Sequence, residues 1–290
     1  MTHPQYRGRF APSPTGPLHF GSLVTALASY LEARTHNGQW LIRIEDLDPL
    51  REPPEATGQI LASLEAHGLF PDQPVRFQSK QHHAYQSAIE QLLASGHAYR
   101  CPCSRKELQA HQGRHPNDCR RGGAGVGDRP WAVRFALEDE DCRWQDLLLG
   151  PQRQTVQAEL DDPVILRKEG FFAYQLAVVV DDIDQGITEV VRGSDLLDMT
   201  AQQQQIYRAL GRTPPRWLHI PVILNEQGQK LSKQTHAPAL DDSMAARNLV
   251  QALEALGQQP PASLADTSAD SVLTWGCANW RRSAIHLTSR

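Results

Sequence analysis

The chain has 290 residues, of which 40% are hydrophobic and 21% charged, and its formal net charge is −4. These values predict an ordinary globular protein of one large or two smaller domains, and they exclude a surface that is basic throughout, although a local basic face for nucleic acid stays compatible with them. The N-terminal residues MTHPQYRGRF have no apolar signal core, and the longest apolar stretch, near Val179, is too short to span a bilayer. With five cysteines and no secretory signal, the sequence predicts a cytoplasmic protein without membrane association.

The first fifty residues predict a β-α-β unit. Tyr6–Phe10 and the alternating Gln39–Asp46 are candidate strands, and Phe20–Arg34 places its leucines on one helical face. The apolar stretch around Val179 fits a strand by its β-branched residues and a helix by its flanks. Farther along, helices are predicted at Glu55–His67, Gln81–Ser95, Ser194–Leu210 with Ser194 as its cap, and Ala245–Leu256, and strands at Trp131–Phe135, Ile187–Arg192 and Trp217–Leu224.

Four regions are predicted along the chain. The sequence changes character after Tyr99, where cysteines and a glycine-rich stretch replace core-like residues, and core-like sequence resumes at Pro163. Residues 1–98 and 161–239 are therefore predicted as the two halves of one core, with 99–160 as an insertion. Residues 240–290 are predicted as a short helical C-terminal part, in which Pro260–Ser271 has the composition of a linker.

The stretch RFAPSPTGPLHFGS, from Arg9 to Ser22, joins the first strand to the first helix. A strand, a stiff loop and a helix N-terminus make an anion site, because the first helical N–H groups lack partners and the helix dipole is positive there. A histidine at this junction, His19, can donate to phosphate oxygens. On the local pattern alone, a stiff connection in which His19 merely caps the helix is an equally good interpretation.

A second stretch, QKLSKQ, follows the late strand and its turn. Its Lys230, Ser232 and Lys233 could screen the charge of a triphosphate. By itself, a loop with two lysines is more often simply solvated.

The predicted insertion contains the spacing C-x-C-x11-H-x3-C, formed by Cys101, Cys103, His115 and Cys119. Three sulfurs and one imidazole suit tetrahedral Zn²⁺, and the segment has few large apolar side chains that could order it without a metal. The alternative is a cysteine-containing hairpin with a surface histidine. His111 competes with His115 as the fourth ligand.

Taken as a set, these motifs resemble class I aminoacyl-tRNA synthetases. The match runs through RFAPSPTGPLHFGS, LIRIEDLDP, VVRGSDLL and HIPVILNEQGQKLSK to about Ala239, and it is similar to the glutamyl and glutaminyl branch. Two positions depart from the family pattern: Ser22 stands where many members have a second histidine, and Gln234 follows Lys233 where serine is usual. Both departures leave His19, Lys230 and Lys233 in place.

The resemblance implies an α/β fold, a Rossmann-like class I aminoacyl-tRNA synthetase catalytic core with a zinc-binding insertion and a short α-helical C-terminal part. It implies that glutamate attacks the α-phosphorus of ATP with Mg²⁺ bridging the phosphates, and that His19, Lys230 and Lys233 are catalytic. It further implies ATP contacts at His19, Gly21, Ser22, Lys230, Ser232 and Lys233, and glutamate contacts at Arg9, Phe10, Ala11, Pro12, Ser13, Glu45, Tyr174 and Arg192. For Arg9, Glu45 and Arg192, ion pairing at strand ends is the structural alternative. Relatives often have tyrosine where this chain has His115, a better zinc ligand.

The resemblance also indicates which molecule receives the activated glutamate. About 55 residues follow Lys233, too few for the large anticodon-binding region of a full glutamyl-tRNA synthetase. The chain is therefore similar to the truncated family of glutamyl-Q tRNA(Asp) synthetases, which transfer glutamate to queuosine in the anticodon of tRNA(Asp). Two alternatives stay open: a minimal glutamyl- or glutaminyl-tRNA synthetase that charges a tRNA 3′ end, and a non-catalytic protein that binds tRNA or glutamate. Candidate phosphate contacts, which could equally be solvated surface charges, are Arg120, Arg121, Arg281 and Arg282.

Overall fold

A computed structural model describes residues 5–116, 118–122, 129–224, 228, 231 and 238–286. Its strands are β1 Arg7–Phe10, β2 Gln39–Ile44, β3 Arg76–Phe77, β4 Ala98–Cys101, β5 Ala132–Phe135, β6 Glu140–Asp146, β7 Gly150–Val156, β8 Val164–Leu166, β9 Glu189–Gly193 and β10 Arg216–Ile220. Its helices are α1 Phe20–Thr35, α2 Ala56–Ala66, α3 His82–Ala94, α4 Arg105–Ala110, α5 Tyr174–Asp184, α6 Thr200–Ala209, α7 Ala245–Ala255 and α8 Ala269–Asn279. Among these helices, none is both long enough and apolar enough to cross a membrane.

The centre of the fold is a set of parallel strands. β2 pairs in parallel with β1 and β3, and β10 pairs in parallel with β9 and β6. The two groups meet where the backbone N–H of Thr188, just before β9, donates to the Arg7 carbonyl of β1 at 2.9 Å. The β-α-β start and the Rossmann-like class are thereby confirmed, and ligands of such sheets bind beyond the carboxyl ends of the strands.

Helices cover the strands on both sides. One apolar cluster joins α1, α2, α7 and α8 to β1 and β2, and a second joins α3, α5 and α6 to β9 and β10. The stretch around Val179, for which the sequence was compatible with either a strand or a helix, forms helix α5, and it is buried on most sides. A helix that is apolar nearly all round belongs in the interior, and for that reason its period gave no clear signal.

The predicted insertion contributes to two sheets. β4, β5 and β8 form a small antiparallel sheet, and Cys101 of the motif is the last residue of β4. β6 and β7 form a hairpin, and β6 lies within 99–160 yet pairs with β10 at Trp217 and Asp146.

Three element predictions differ from the structure. Ser194 does not cap a long helix: residues 194–199 form a 3-10 helix without a side-chain cap, and α6 begins only at Thr200. The strand predicted to reach Leu224 ends at Ile220, because Pro221 has no N–H for the ladder. The predicted linker contains a 3-10 helix, Ala262–Asp266, and the start of α8, capped by Ser268.

Candidate active site and metal centre

The N-terminus of α1 carries the histidine of the early motif. His19 occupies the cap position, and its Nδ1 accepts from the backbone N–H of Ser22 at 3.2 Å. Its Nε2 lies 3.0 Å from the Ser22 hydroxyl. A β-carbon at Gly21 would lie 3.3 Å from the His19 ring, so glycine permits this close approach. His19 thus caps α1, and a phosphate contact from this residue stays a prediction.

The late motif falls largely outside the described residues, which include neither Lys230, Ser232 nor Lys233. Leu231 within the motif, and Ala239 and Leu240 after it, lie beside the start of α1. The Leu231 carbonyl oxygen would lie 3.5 Å from a β-carbon at Gly21. Ala239 bridges to His19, and the backbone N–H of Leu240 donates to the Leu18 carbonyl at 3.1 Å. The chain on either side of 232–237 therefore lies beside the candidate phosphate site.

Charged side chains gather at the carboxyl ends of β1 and β2. The Arg9 guanidinium donates to Asp182 at 3.0 Å through Nε, and Arg43 donates to the same carboxylate at 2.7 Å. Arg43 also donates to Glu45 at 3.3 Å. Burial would raise the pKa of Asp182, but the charges of Arg9 and Arg43 outweigh it and hold this pKa below its usual value. Arg9 thus forms the ion pair that was the structural alternative, through its Nε and one terminal nitrogen. The second terminal nitrogen has no protein partner among the described residues.

Glu45 is the least compensated acid of this cluster. Burial raises the pKa of its carboxyl, and the charges of Arg43 and Arg9 offset that rise only in part. Its backbone N–H donates to the Pro12 carbonyl at 3.0 Å, which ties it to the loop after β1. In that loop Ala11 and Pro12 are half-buried and Ser13 is exposed. A bound ammonium group beside Glu45 would supply the missing positive charge.

Phe10 differs from its neighbours in the predicted site. Its side chain is buried in the core cluster of α1, β1 and β2. Any substrate contact of this residue would therefore come from its main chain.

Arg192, at the end of β9, is a buried cation held by neutral acceptors. Its terminal nitrogens donate to Gln203 at 2.8 Å, to Thr200 at 2.9 Å and to the Leu196 carbonyl at 3.2 Å, and its Nε donates to His219 at 3.0 Å. Among the residues that the structure describes, no carboxylate forms an ion pair with it. Burial lowers the pKa of this guanidinium. Since a buried charge without a counter-ion is costly, the site is complementary to an incoming anion.

Tyr174 shows that the predicted glutamate-contacting residues converge. It is the first residue of α5, and burial raises the pKa of its hydroxyl. The negative charge of Glu45 raises it further, whereas Arg192 and Arg9 oppose the rise. Residues from three strand ends thus act electrostatically on one hydroxyl, as expected for a pocket beyond the carboxyl ends of the strands.

Sequence reasoning missed the side chains that hold these arginines in place. The sequence did not single out Asp182 and Arg43, which contact each other and, through Asp182, Arg9. It also did not single out His219, which accepts from Arg192, and Asp146, which contacts His219. The one available signal was the pair of acids inside the apolar stretch of α5, since buried acids are normally paired.

The four predicted metal ligands lie together and are buried. Their ligand atoms are all within 4.8 Å of one another. Cys101 Sγ lies 3.2 Å from His115 Nδ1, and Cys103 Sγ lies 3.5 Å from Cys119 Sγ. A tetrahedral ion with bonds of about 2.3 Å needs ligand atoms about 3.8 Å apart, so small shifts would allow the cluster to hold one. Burial and the neighbouring thiols raise the pKa of Cys119, which disfavours the thiolates in the absence of a cation.

Contacts around the cluster select one histidine and one ring nitrogen. His111 is exposed at the end of α4 and is not part of the group, so His115 provides the fourth ligand position. Tyr99 O–H donates to Asp162 at 2.8 Å, and the same hydroxyl oxygen lies 3.3 Å from His115 Nε2. A proton on Nε2 can therefore point to Tyr99, which leaves Nδ1 free for a metal.

Two of the four candidate phosphate-binding arginines make internal contacts. Arg120 donates to the Leu137 carbonyl and lies 3.7 Å from Asp162. Arg282 bonds Glu32 and lies 3.3 Å from Glu189. Arg121 and Arg281 are exposed.

Comparisons with known proteins agree with this geometry. The family model "tRNA synthetases class I (E and Q), catalytic domain" matches residues 5–251. A Pseudomonas aeruginosa (strain LESB58) protein named glutamyl-Q tRNA(Asp) synthetase is 49% identical over 280 residues, which cover 97% of this chain and 95% of that protein. A Chromobacterium violaceum protein of the same name is 49% identical over 292 residues, covering 98% of this chain and 97% of that protein.

A solved structure has the same fold. The glutamate-tRNA synthetase of Elizabethkingia anophelis superposes with a TM-score of 0.78 at 25% sequence identity, over 98% of this chain and 67% of that chain.

Proposed function

The chain belongs to the class I tRNA synthetase family for glutamate and glutamine and, within it, to the glutamyl-Q tRNA(Asp) synthetases, and from this premise we propose that it activates L-glutamate with ATP and transfers the glutamyl group to queuosine in the anticodon of tRNA(Asp). It is a ligase. The observation that carries the choice of glutamate is Arg192, a buried cation whose partners among the described residues are all neutral.

The first step joins two anions. A glutamate carboxylate oxygen attacks the α-phosphorus of ATP, a P–O bond forms, and the bond to pyrophosphate breaks. Because negative charge builds on the phosphoryl group, positioning and electrostatic stabilisation supply most of the catalysis. We assign this role to His19 with Lys230 and Lys233, aided by Mg²⁺ on the phosphates; Gly21, Ser22 and Ser232 complete the ATP contacts.

The amino acid is recognised by its charges. The ammonium group of glutamate binds at Glu45, whose buried carboxylate lacks full compensation. One carboxylate binds Arg192 and the other the Arg9 nitrogen that has no partner among the described residues, and the Tyr174 hydroxyl, on which both arginines act electrostatically, is a further contact. The loop from Phe10 through Ala11 and Pro12 to Ser13 closes the pocket. In the second step a queuosine hydroxyl attacks the glutamyl carbonyl, an ester forms, and AMP leaves.

The cluster Cys101, Cys103, His115 and Cys119 binds one structural Zn²⁺. The donor set, three sulfurs and one imidazole nitrogen, is that of structural zinc sites, and all four side chains are buried. The ion would anchor the small sheet of β4, β5 and β8. In the domain division that we propose, 99–160 is the zinc-bearing insertion between the core halves 1–98 and 161–239, and 240–290 is the helical C-terminal part.

Two measurements test the activity. Glutamate-dependent exchange of pyrophosphate into ATP, with and without tRNA, tests activation; no exchange in either condition contradicts it and favours a binding protein. Labelled glutamate is then offered to tRNA(Asp) with and without queuosine. Labelling only of the queuosine tRNA supports the proposed acceptor, and equal labelling of both contradicts it. Queuosine tRNA(Asp) that lacks its 3′-terminal adenosine is the matched control: it should be labelled as well as the intact tRNA, whereas a synthetase for the 3′ end would not label it.

A further inference from the structure

We propose that Asp146 is a positioning residue for the glutamate site, which acts through the His219 imidazole to fix the orientation of the Arg192 guanidinium without neutralising its charge. The inference rests on the proposed function, which gives Arg192 a substrate carboxylate to bind. Neither Asp146 nor His219 belongs to the residues that the family resemblance assigns to substrate.

The three side chains form a row across three neighbouring strands. Arg192 on β9 and His219 on β10 are directly paired in the parallel register, and β6 joins β10 at Trp217 and Asp146. All three members of the row are buried, with exposed fractions of 1% for Asp146, 0% for His219 and 4% for Arg192. Water therefore does not supply alternative partners, and protein contacts determine the geometry of the row, including those of Arg192 to Gln203 and Thr200 outside it.

The directions of the hydrogen bonds determine the tautomer of the ring. The Nε–H of Arg192 can only donate, so His219 Nε2, 3.0 Å away, accepts. The ring proton is then on Nδ1, which donates to Asp146 Oδ2 at 2.6 Å. The other oxygen of Asp146 accepts from the backbone N–H groups of Leu148 and Leu149 at 3.0 and 2.9 Å.

The protonation states agree with this assignment. Burial lowers the pKa of His219, although its hydrogen bond to Asp146 opposes the change. Burial would raise the pKa of Asp146, but the bonds from His219 and the two backbone N–H groups hold it below its usual value. The pair is therefore a neutral imidazole that donates to a carboxylate. A protonated ring would place a second donor against the Nε–H of Arg192.

Arg9 shows the contrasting arrangement. Its Nε and one terminal nitrogen bond Asp182 directly, so a carboxylate already offsets its charge. At Arg192 the imidazole separates the cation from the carboxylate. The guanidinium is oriented as firmly, yet its positive charge stays available to a substrate carboxylate.

The variant Asp146→Asn tests this role. An amide can donate to Nδ1, which would move the ring proton to Nε2, opposite Arg192. In pyrophosphate exchange we expect the KM for glutamate to rise about 10- to 100-fold, the effect of losing one hydrogen bond to a charged group, with the KM for ATP unchanged. Asp141→Asn is the matched control, because Asp141 lies on the same strand but is exposed and bonds Arg153 and Thr155. This control should leave both KM values unchanged.

A spectroscopic readout separates positioning from a general structural effect. In ¹⁵N-histidine-labelled protein, the ring signals that disappear in His219→Gln identify His219. They should show a proton on Nδ1 in the wild type and on Nε2 in Asp146→Asn. His219→Gln retains an acceptor for Arg192 and should therefore have a lower KM for glutamate than His219→Phe.

The outcomes separate this role from the activity itself. An active wild type in which Asp146→Asn changes neither the KM for glutamate nor the ring tautomer overturns the role of Asp146 alone. A wild type without glutamate-dependent exchange overturns the proposed function and this role with it. If Asp146→Asn does not fold, the two His219 variants decide, and equal KM values for glutamate overturn the role.

Discussion

Replacing Arg282 by alanine should destabilise the protein in a pH-dependent way. The Arg282 side chain is 25% exposed and bonds Glu32, which is 1% exposed, while Glu189, 0% exposed, lies 3.3 Å away. The Trp280 indole donates to the same Glu32 carboxylate at 2.8 Å. This cluster fastens the end of the C-terminal part to the start of β9 and the last turn of α1. Without the guanidinium, Glu32 and Glu189 are left as two buried acids that face each other, and Arg216, 2.9 Å from Glu189, offsets only part of their charge.

The size of the effect follows from these contacts. Removing one partner of a buried ion pair costs about 3–5 kcal/mol, and the partial exposure of Arg282 places the expected loss near the lower end, about 3 kcal/mol. The entropy of unfolding is about 2.1 cal/mol/K per residue, or about 0.6 kcal/mol/K for 290 residues. The melting temperature should therefore fall by about 5 °C.

The pH dependence has a definite sign. Burial raises the pKa of Glu189, Glu32 raises it further, and Arg282 opposes both. An acid whose pKa is higher in the folded than in the unfolded state stabilises the fold while it is protonated. This stabilisation is lost as the pH rises through the pKa of the acid in the folded state. Loss of Arg282 raises that pKa again, so the destabilisation should be largest at pH 7 and should shrink toward pH 4.

Urea unfolding at pH 7 and pH 4.5 measures the loss of unfolding free energy and its pH dependence, and thermal unfolding at pH 7 measures the fall in melting temperature. Arg281→Ala is the matched control, because its side chain is exposed and its backbone, not its guanidinium, bonds Gln258. The control should change the free energy of unfolding by less than about 0.5 kcal/mol. Equal losses in the two variants, or a loss for Arg282→Ala that does not depend on pH, would refute the reasoning.

Three further predictions concern the two sites. Cys101→Ser should lose about one equivalent of zinc by metal analysis, and Tyr99→Phe should release zinc to a chelator faster than the wild type because His115 loses its partner; full retention in both would contradict the metal site. Glu45→Gln should raise the free energy of unfolding in urea at pH 7, because burial raises the pKa of Glu45 and disfavours its charged form. This gain in stability should vanish near pH 4. The same variant should raise the KM for glutamate. The pKa of His219 is lowered, so the stability that its neutral ring contributes is present above about pH 6.5 and lost as the pH falls. His219→Gln should flatten this part of the pH profile of urea unfolding, and an unchanged profile would contradict the assignment.

The metal cluster was predictable because its ligands are close in sequence. Cys101 and Cys103 are two residues apart, and Cys119 follows His115 by four, so spacing alone indicates three cysteine ligands and a nearby histidine. The choice between His111 and His115 needed the structure, because either histidine could reach the cysteines until α4 and the loop after it were placed.

The sequence by itself determined the β-α-β start, most of the helices, the family motifs and the identity of the residues at the strand ends. It did so because periodicity, capping and turn residues act over a few positions, and side chains at the ends of parallel strands share one edge. Only the tertiary structure decided which charges meet. Asp182 bonds Arg9 across 173 positions, and Asp146 reaches His219 across 73. Such pairs depend on which strands and helices become neighbours, and no local pattern specifies a distant partner. The same reason explains why α5 was ambiguous: its burial on most sides comes from its neighbours and erases the one-sided pattern by which a surface helix is recognised.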